Sequence, residues 1–217
     1  MDDPLKKAKE KAAATYDAAA DHFDDEPLGF WDRVGKRTVA NLKLHSGAKV
    51  LDVGCGTGAS ALPAAHAVGK NGSVVGIDLA MRLLDQARAK ARAAGLDNVE
   101  FRLADMTALN YPDESFDAVV SVFSIFFVPD MESLVSELWR MVRPGGKLAV
   151  TTWGPRFCEP AYARWFIALD NERPDLVNAF NPWDRTTDVV SVRKLVQGHR
   201  GHRLPASMRD SGPFRPL

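Results

Sequence analysis

The segment Val50-Leu51-Asp52-Val53-Gly54-Cys55-Gly56-Thr57-Gly58 gathers residue types that recognise a charged, flexible ligand. Glycine permits positive φ and lets a ligand approach the main chain closely. A helix opening just after such a loop presents unpaired N–H groups. Three glycines in five residues make a ligand-free tight turn a poor account of this stretch. Taken alone, the loop is still ambiguous. Gly54-x-Gly56-x-x-Ala59, followed about twenty residues later by Asp78, also satisfies the dinucleotide pattern with its ribose-binding acid. Two features separate the readings. Asp52 stands ahead of the glycines, where a carboxylate would repel a pyrophosphate but suits a ligand with a positive amino group. Asp105, in Leu103-Ala104-Asp105-Met106, sets a carboxylate acceptor beside a backbone N–H, a pair able to read the edge of an adenine. Each acid also has a plain structural reading, Asp105 as a helix N-cap or turn residue and Asp78 as a strand-end turn residue.

The surrounding pattern says which elements must position these groups. Lys49 to Val53 reads as a short buried strand running into the glycines, and an Ala-rich helix follows from about Ser60 to Val68. Asn71-Gly72 signals a turn. Ser73 to Ile77 is the next strand, stopping at Asp78, and a long helix over 80–94 is closed by Gly95. Val99 to Leu103 is a third strand. Phe116 to Val122 is a fourth, apolar on both faces as central parallel strands are. A helix from Glu132 to Val142, a turn at Arg143-Pro144-Gly145-Gly146 and a fifth strand from Lys147 to Thr152 complete the alternation. Alternating strands and helices with short connections predict an α/β fold with helices on both faces of a parallel sheet. Ligands then bind beyond the carboxyl ends of the strands, at the topological switch point. The informative residues follow strands one to four, as this requires. Ahead of the core, residues 5–24 predict a polar helix with the stripe Ala12, Tyr16, Ala19 and Phe23, broken at Asp25-Glu26-Pro27, and a second helix covers Phe30 to Leu42.

Composition excludes several function classes. The chain has 217 residues, with 28 Lys and Arg against 28 Asp and Glu, so no global field favours nucleic acid or an anionic membrane. The cysteines Cys55 and Cys158 show no metal-ligand spacing and no disulfide framework. No metal is expected. Met1 to Lys11 carries no apolar run of a secretory signal, and the apolar stretch Ala118 to Pro129 is too short for a bilayer span. The expectation is a cytoplasmic protein with no membrane span and no nucleic-acid partner.

Segments in a fixed order carry a resemblance. Val50 to Gly58, Gly76-Ile77-Asp78-Leu79-Ala80, Ala104-Asp105-Met106, Phe116-Asp117-Ala118-Val119-Val120-Ser121 and Arg143-Pro144-Gly145-Gly146-Lys147-Leu148 together resemble the class I S-adenosylmethionine-dependent methyltransferases. The likeness covers about residues 12–153 and is closest to the small-molecule branch that includes the ubiquinone and menaquinone biosynthesis C-methyltransferases. It implies a three-layer Rossmann-like fold with a mainly parallel sheet, S-adenosyl-L-methionine as cofactor and S-adenosyl-L-homocysteine as product. It also implies roles. Gly54, Gly56 and Gly58 would pack under the methionine and ribose portions, and Asp52 would orient the ammonium group, directly or through water. Asp78 would accept both ribose hydroxyls in a bidentate arrangement. Leu79 would cover an adenine face, and Asp105 with the Met106 N–H would read the adenine edge. Ser121 and Phe123 would line the methyl-donor end. Ala80 stands where family members often have Ser. Tyr16, in Tyr16-Asp17-Ala18-Ala19-Ala20, resembles an N-terminal segment that folds over the cofactor. Its ring would face the sulfonium, or would simply anchor its helix on the core.

The resemblance assigns no catalytic residue. Transfer from a sulfonium is an in-line displacement in which alignment and exclusion of water supply much of the acceleration, and a base is needed only if the nucleophile must lose a proton. Related enzymes often carry a His pair after strand four, where this chain has Phe126 and Phe127. Of His22, His45, His66, His199 and His202, His22 alone sits on a segment expected near the site. Phe123, Phe126, Phe127, Trp153, Trp165 and Phe166 imply an apolar aromatic pocket for a small, aromatic or lipophilic methyl acceptor. Core packing is the competing reading of these rings. The rival functions are a nicotinamide-dependent oxidoreductase and a non-catalytic S-adenosylmethionine-binding remnant.

The C-terminal third departs from the family pattern. A helix is expected from about Ala161 to Asn171 and another from Thr187 to Gln197, after which the usual antiparallel hairpin is missing or altered. Residues 191–217 carry six bases and one acid, a charge of +5, whereas residues 1–30 carry eight acids and four bases, −4. The neutral total is thus a cancellation between ends. The expected organisation is an N-terminal helical lid over 1–45, a cofactor-binding core over 46–153, a helical substrate-side segment over 154–197 and an irregular basic tail over 198–217. Without the hairpin the fifth strand is left at a sheet edge, and exposed edges invite pairing, so a homodimer is expected to use it.

Overall fold

The computed structural model describes residues 4–26, 29–156, 159–177 and 182–198. Its sheet comprises β1 (Lys49–Val53), β2 (Ser73–Asp78), β3 (Val99–Leu103), β4 (Phe116–Val122) and β5 (Val142–Thr151), in spatial order β3-β2-β1-β4-β5. Every pairing is parallel, so the sheet is wholly parallel among the described residues. The expectation about a C-terminal hairpin and basic tail falls on residues 199–217, which lie outside the described residues.

A wholly parallel sheet must be covered on both faces, and the alternation along β1 meets that need. Val50 faces a layer built with Val39 and Leu42 of α2 (Phe30–Leu42), Ala64 of α3 (Ala61–Val68), and Leu84 and Ala87 of α4 (Met81–Ala93). Leu51 and Val53 face Leu134 and Leu138 of α5 (Met131–Met141) and Leu195 of α7 (Val189–Gly198). α5 starts where the Asp130 carboxylate accepts from the Ser133 N–H at 2.9 Å, an N-cap bond. α1 (Pro4–Ala19) and α6 (Ala161–Glu172) differ from the rest. α6 buries no residue, and no described side chain of α1 is buried.

The chain winds from β1 outward to β3, then crosses to the other side of β1 for β4. The β1/β4 boundary is therefore the switch point, and the loops after β1 and β4 diverge there to leave a crevice. One boundary departs from the sequence reading. The Arg143-Pro144-Gly145-Gly146 turn does not precede the fifth strand but lies within it. Val142 pairs with Phe116 while Lys147 already pairs with Ala118, so the intervening residues bulge out of register. Proline and glycine are tolerated in a strand at such bulges. The bulge lies beside Asp117, which is buried at the amino end of β4 and accepts from the Lys49 N–H at 2.8 Å, from His45 Nε2 at 3.2 Å and from Arg143.

Candidate active site

A cavity opens at the carboxyl ends of the strands, over the β1/β4 switch point. Its walls are the glycine loop from Gly54 to Thr57 with Ala59 and Ser60, then Ile77 to Ala80 after β2, Ala104 and Met106 after β3, and Val122 to Ser124 with Phe127 after β4. The N-terminal segment closes it from above with Ala12, Ala13, Tyr16, Phe23 and Trp31.

Gly54 explains why the loop needs glycine. Its φ is +71°, and a Cβ there would meet Ser124 Cβ at 2.4 Å. The β1 and β4 loops can touch only because that atom is missing. The Gly54 and Cys55 N–H groups both donate to the Ile77 carbonyl at 2.9 Å, tying the loop to β2. Asp78 completes the tie: Oδ2 accepts from the Gly56 N–H and Oδ1 from the Ala80 N–H, each at 2.9 Å. Burial pushes the Asp78 carboxyl up, partly offset by its backbone hydrogen bonds. Each of its oxygens has further acceptor capacity.

Asp52 lies behind this wall. It is fully buried; Oδ2 accepts from Ser60 Oγ at 2.7 Å, and Oδ1 has no hydrogen-bond partner. Burial pushes its carboxyl up to about 7, with Ser60 opposing and Asp78 adding to the rise. The cavity meets Ser60, and Asp52 acts on it from one residue further back. A buried acid with an unpaired oxygen beside a second acid favours a cation nearby.

At the other end Asp105 sits on the rim rather than in the wall. Its Oδ1 accepts from the Thr107 N–H at 2.8 Å and Thr107 Oγ1 at 2.9 Å, and Oδ2 accepts from Lys9 Nζ at 2.6 Å. Burial raises the Asp105 carboxyl, but the bonds from Lys9 and Thr107 outweigh it and hold the acid below the usual carboxylate range. Leu79 and Met106 line the wall.

The β4 side is aromatic. Phe123 stacks on Trp153 at a centroid distance of 3.9 Å, so Trp153 forms a second layer behind it. Phe127 meets Tyr16 edge-on at 5.8 Å, and Phe23 stacks on Trp31 at 5.5 Å. The Tyr16 hydroxyl is pushed up by burial and by nearby Asp78, so it keeps its proton at neutral pH. Several expected residues sit elsewhere. Phe126 turns into the main core and packs edge-on to Trp183. Trp165 and Phe166 contact each other and Tyr162 on α6, away from the cavity wall. Ser121 is buried behind Ser124, with 2.6 Å between their hydroxyls, and Ser124 Oγ donates to the Val53 carbonyl at 2.7 Å. His22 is exposed, with Nδ1 2.8 Å from Asp25. Sequence reasoning missed Phe23, Trp31, Ser60, Ser124 and Lys9. Ser60 left a local signal, as the hydroxyl at the helix start just after the glycines, and Phe23 shares the apolar stripe of Tyr16.

Comparisons with known proteins fix what this arrangement belongs to. The family described as "Methyltransferase domain" matches residues 50–146. The chain is 33% identical over 195 residues to aklanonic acid methyltransferase DauC of Streptomyces sp. (strain C5), covering 84% of this chain and 89% of that one. It belongs to the S-adenosylmethionine-dependent methyltransferases. Nocamycin O-methyltransferase of Saccharothrix syringae is 32% identical over 174 residues, 77% of this chain, although the chain spans only 61% of that longer relative. A crystal structure of a SAM-dependent methyltransferase from Aquifex aeolicus shares the fold, with a TM-score of 0.64 at 21% identity over 84% of this chain and 87% of that one. The family match sets aside the nicotinamide reading of the glycine loop. S-adenosylmethionine is accordingly the cofactor. The residues fit it: the crevice has a glycine cradle, an acid with free acceptor capacity at Asp78, and a buried unpaired carboxylate oxygen behind Ser60. Among the described residues no helix of this methyltransferase is long and apolar enough to cross a membrane.

Proposed function

We propose that this methyltransferase moves a methyl group to a small aromatic or lipophilic acceptor by in-line displacement. The observation that carries the reading is one cavity whose lining holds both Asp78 with the glycine loop and the rings of Tyr16, Trp31, Phe123 and Phe127. Asp78 holds the ribose hydroxyls, Met106 and Asp105 the adenine edge, and Leu79 an adenine face. Asp52, through Ser60, balances the ammonium. The bound cofactor supplies an already activated methyl group. The protein aligns the acceptor against it and excludes water behind the aromatic wall. DauC and nocamycin O-methyltransferase, by their names, act on small molecules, which supports an acceptor of that class here.

Residues 1–45 serve as the helical lid, and residues 154–197 as a substrate-side segment whose α6 would engage only with acceptor bound. We place the protein in the cytoplasm. β5 is one of the two edge strands among the described residues, β3 being the other, and two copies pairing along β5 is the assembly we propose; a monomeric mass by light scattering would overturn that. The function is tested by calorimetry with S-adenosylhomocysteine, then by methyl transfer to a phenol and quinol panel and to a polar amine panel, read by mass spectrometry. Transfer to the aromatic panel is expected. Transfer only to polar amines overturns the acceptor class, and cofactor binding with no transfer at all supports the non-catalytic binder.

A further inference from the structure

α1 closes the cofactor cavity although none of its described side chains is buried. Apart from Tyr16, which packs against Phe23 and Phe127, polar clasps hold it. At its front, Lys9 Nζ donates to Asp105 Oδ2 at 2.6 Å and to Thr107 Oγ1 at 2.7 Å. At its back, the Arg82 N–H donates to Asp17 Oδ1 at 2.8 Å, Arg82 Nη1 to the Asp17 carbonyl at 2.8 Å and Arg82 Nη2 to Asp21 Oδ1 at 2.5 Å. Between the clasps Ala12, Ala13 and Tyr16 present small and aromatic surface to the cavity. Ion pairs between partly exposed groups are individually weak and screened by salt. A helix tied by an ion pair at its front and, at its back, by hydrogen bonds to Asp17 and an ion pair to Asp21 just past its end, with Tyr16 as its apolar anchor, is built to open and reclose.

Lys9 has a second task. A carboxylate has about four acceptor sites. Thr107 takes two on Asp105 Oδ1 and Lys9 one on Oδ2, which leaves one on Oδ2 for an incoming N–H donor. We infer that Lys9 is a positioning residue: through one bond it sets the Asp105 carboxylate for the adenine amino group and shuts the front of α1, so the cofactor leaves only when the Lys9 and Arg82 clasps open. The inference rests on the proposed cofactor roles of Asp105 and Met106.

The test is stopped-flow dissociation of S-adenosylhomocysteine, followed by intrinsic tryptophan fluorescence, to which Trp31 in the cavity wall contributes. K9A and R82A are each expected to speed release about fivefold, and K9R to restore most of the wild-type rate. K6A is the control, since Lys6 pairs loosely with Glu10 on α1 itself at 3.9 Å. Raising salt from about 0.05 to about 0.5 M should speed wild-type release severalfold and the K9A/R82A double variant much less. Wild-type release from K9A, equal acceleration by K6A, no rescue by K9R, or an unchanged salt response in the double variant would each overturn the inference. Failure of the wild type to bind S-adenosylhomocysteine would sink the cofactor roles instead. Amide exchange across residues 9–19 of the ligand-free protein then tests the clasp by itself: faster exchange in K9A supports it, and unchanged exchange overturns it.

Discussion

Replacing Asp52 by Asn should make the protein more stable at neutral pH, and increasingly so as pH rises. Asp52 is fully buried with one oxygen unpaired, and its carboxyl is pushed up to about 7 in the folded protein. The unfolded chain has an ordinary value of about 3.9. An acid raised by folding contributes no penalty below its unfolded value. Between about pH 4 and 7 the unfolded chain gives up the proton while the native protein keeps it, so stability falls with pH. At about 1.36 kcal/mol per tenfold difference, the full effect above pH 7 is about 4 kcal/mol, and about 3 kcal/mol of it develops between about pH 4.5 and 8. Asn keeps the shape and the acceptor for the Ser60 hydroxyl and removes the titration. Urea unfolding of both proteins at about pH 4.5 and 8 measures the gap between them, and other titrating groups cancel in the difference. The gap should widen by about 1–3 kcal/mol in favour of D52N, the lower figure allowing for water reaching the site. A gap that stays constant, or that narrows toward pH 8, refutes the placement of a buried, only partly hydrogen-bonded acid behind the glycine loop.

The same titration should couple to the cofactor. A bound ammonium favours the ionised form of Asp52, so affinity for S-adenosylhomocysteine should rise by up to about tenfold from about pH 6 to 8, with proton release seen by calorimetry in buffers of different ionisation enthalpy; D52N should flatten that profile. Gly54→Ala should lower stability by about 2–3 kcal/mol and abolish cofactor binding, because the new Cβ combines a left-handed backbone with a backbone-linked clash against Ser124; a variant that unfolds like wild type in urea would contradict the loop geometry. Asp117→Ala strips the Lys49 N–H, His45 and Arg143 of a shared buried acceptor and should lower stability by about 2 kcal/mol with cofactor affinity unchanged in the folded fraction.

The strands around Asp52 and Asp78 were legible because each is a short apolar run ending at a polar or glycine residue. Central parallel strands have no other way to be covered, so local pattern and tertiary demand coincide. β5 was shortened for the opposite reason. Pro144, Gly145 and Gly146 carry strong turn signals, and only the register against Phe116 and Ala118 reveals a bulge inside a longer strand. The site divides along the same line. Gly54, Gly56, Asp78 and Met106 sit at or after strand ends, the positions the strand pattern points to, and they line the cavity. Trp31 reaches the cavity from α2 and Phe23 from the turn after α1, while Lys9 meets Asp105 at its rim; of the three, Phe23 alone carried a local mark, the apolar stripe it shares with Tyr16. Phe126 and Phe127 illustrate the limit most closely. They are adjacent and chemically identical, yet one is buried in the main core and the other is at the cavity. A short helical turn, Ile125–Phe127, decides which is which, and composition does not contain it.

Phe123 has a consequence for anyone who selects variants of this protein. Its backbone is left-handed, with φ at +55°, while its ring stacks on Trp153. A non-glycine residue held there costs about 1–2 kcal/mol. Local preference and the aromatic wall therefore pull position 123 in opposite directions. Phe123 is also buried in the main core, and truncating a buried Phe costs about 3–5 kcal/mol, more than the strain that glycine or asparagine would relieve. A library screened for thermal resistance alone would therefore keep the ring and leave the strain in place. Packing and the cavity lining thus depend on one strained residue, so stability engineering of this protein has to hold position 123 fixed.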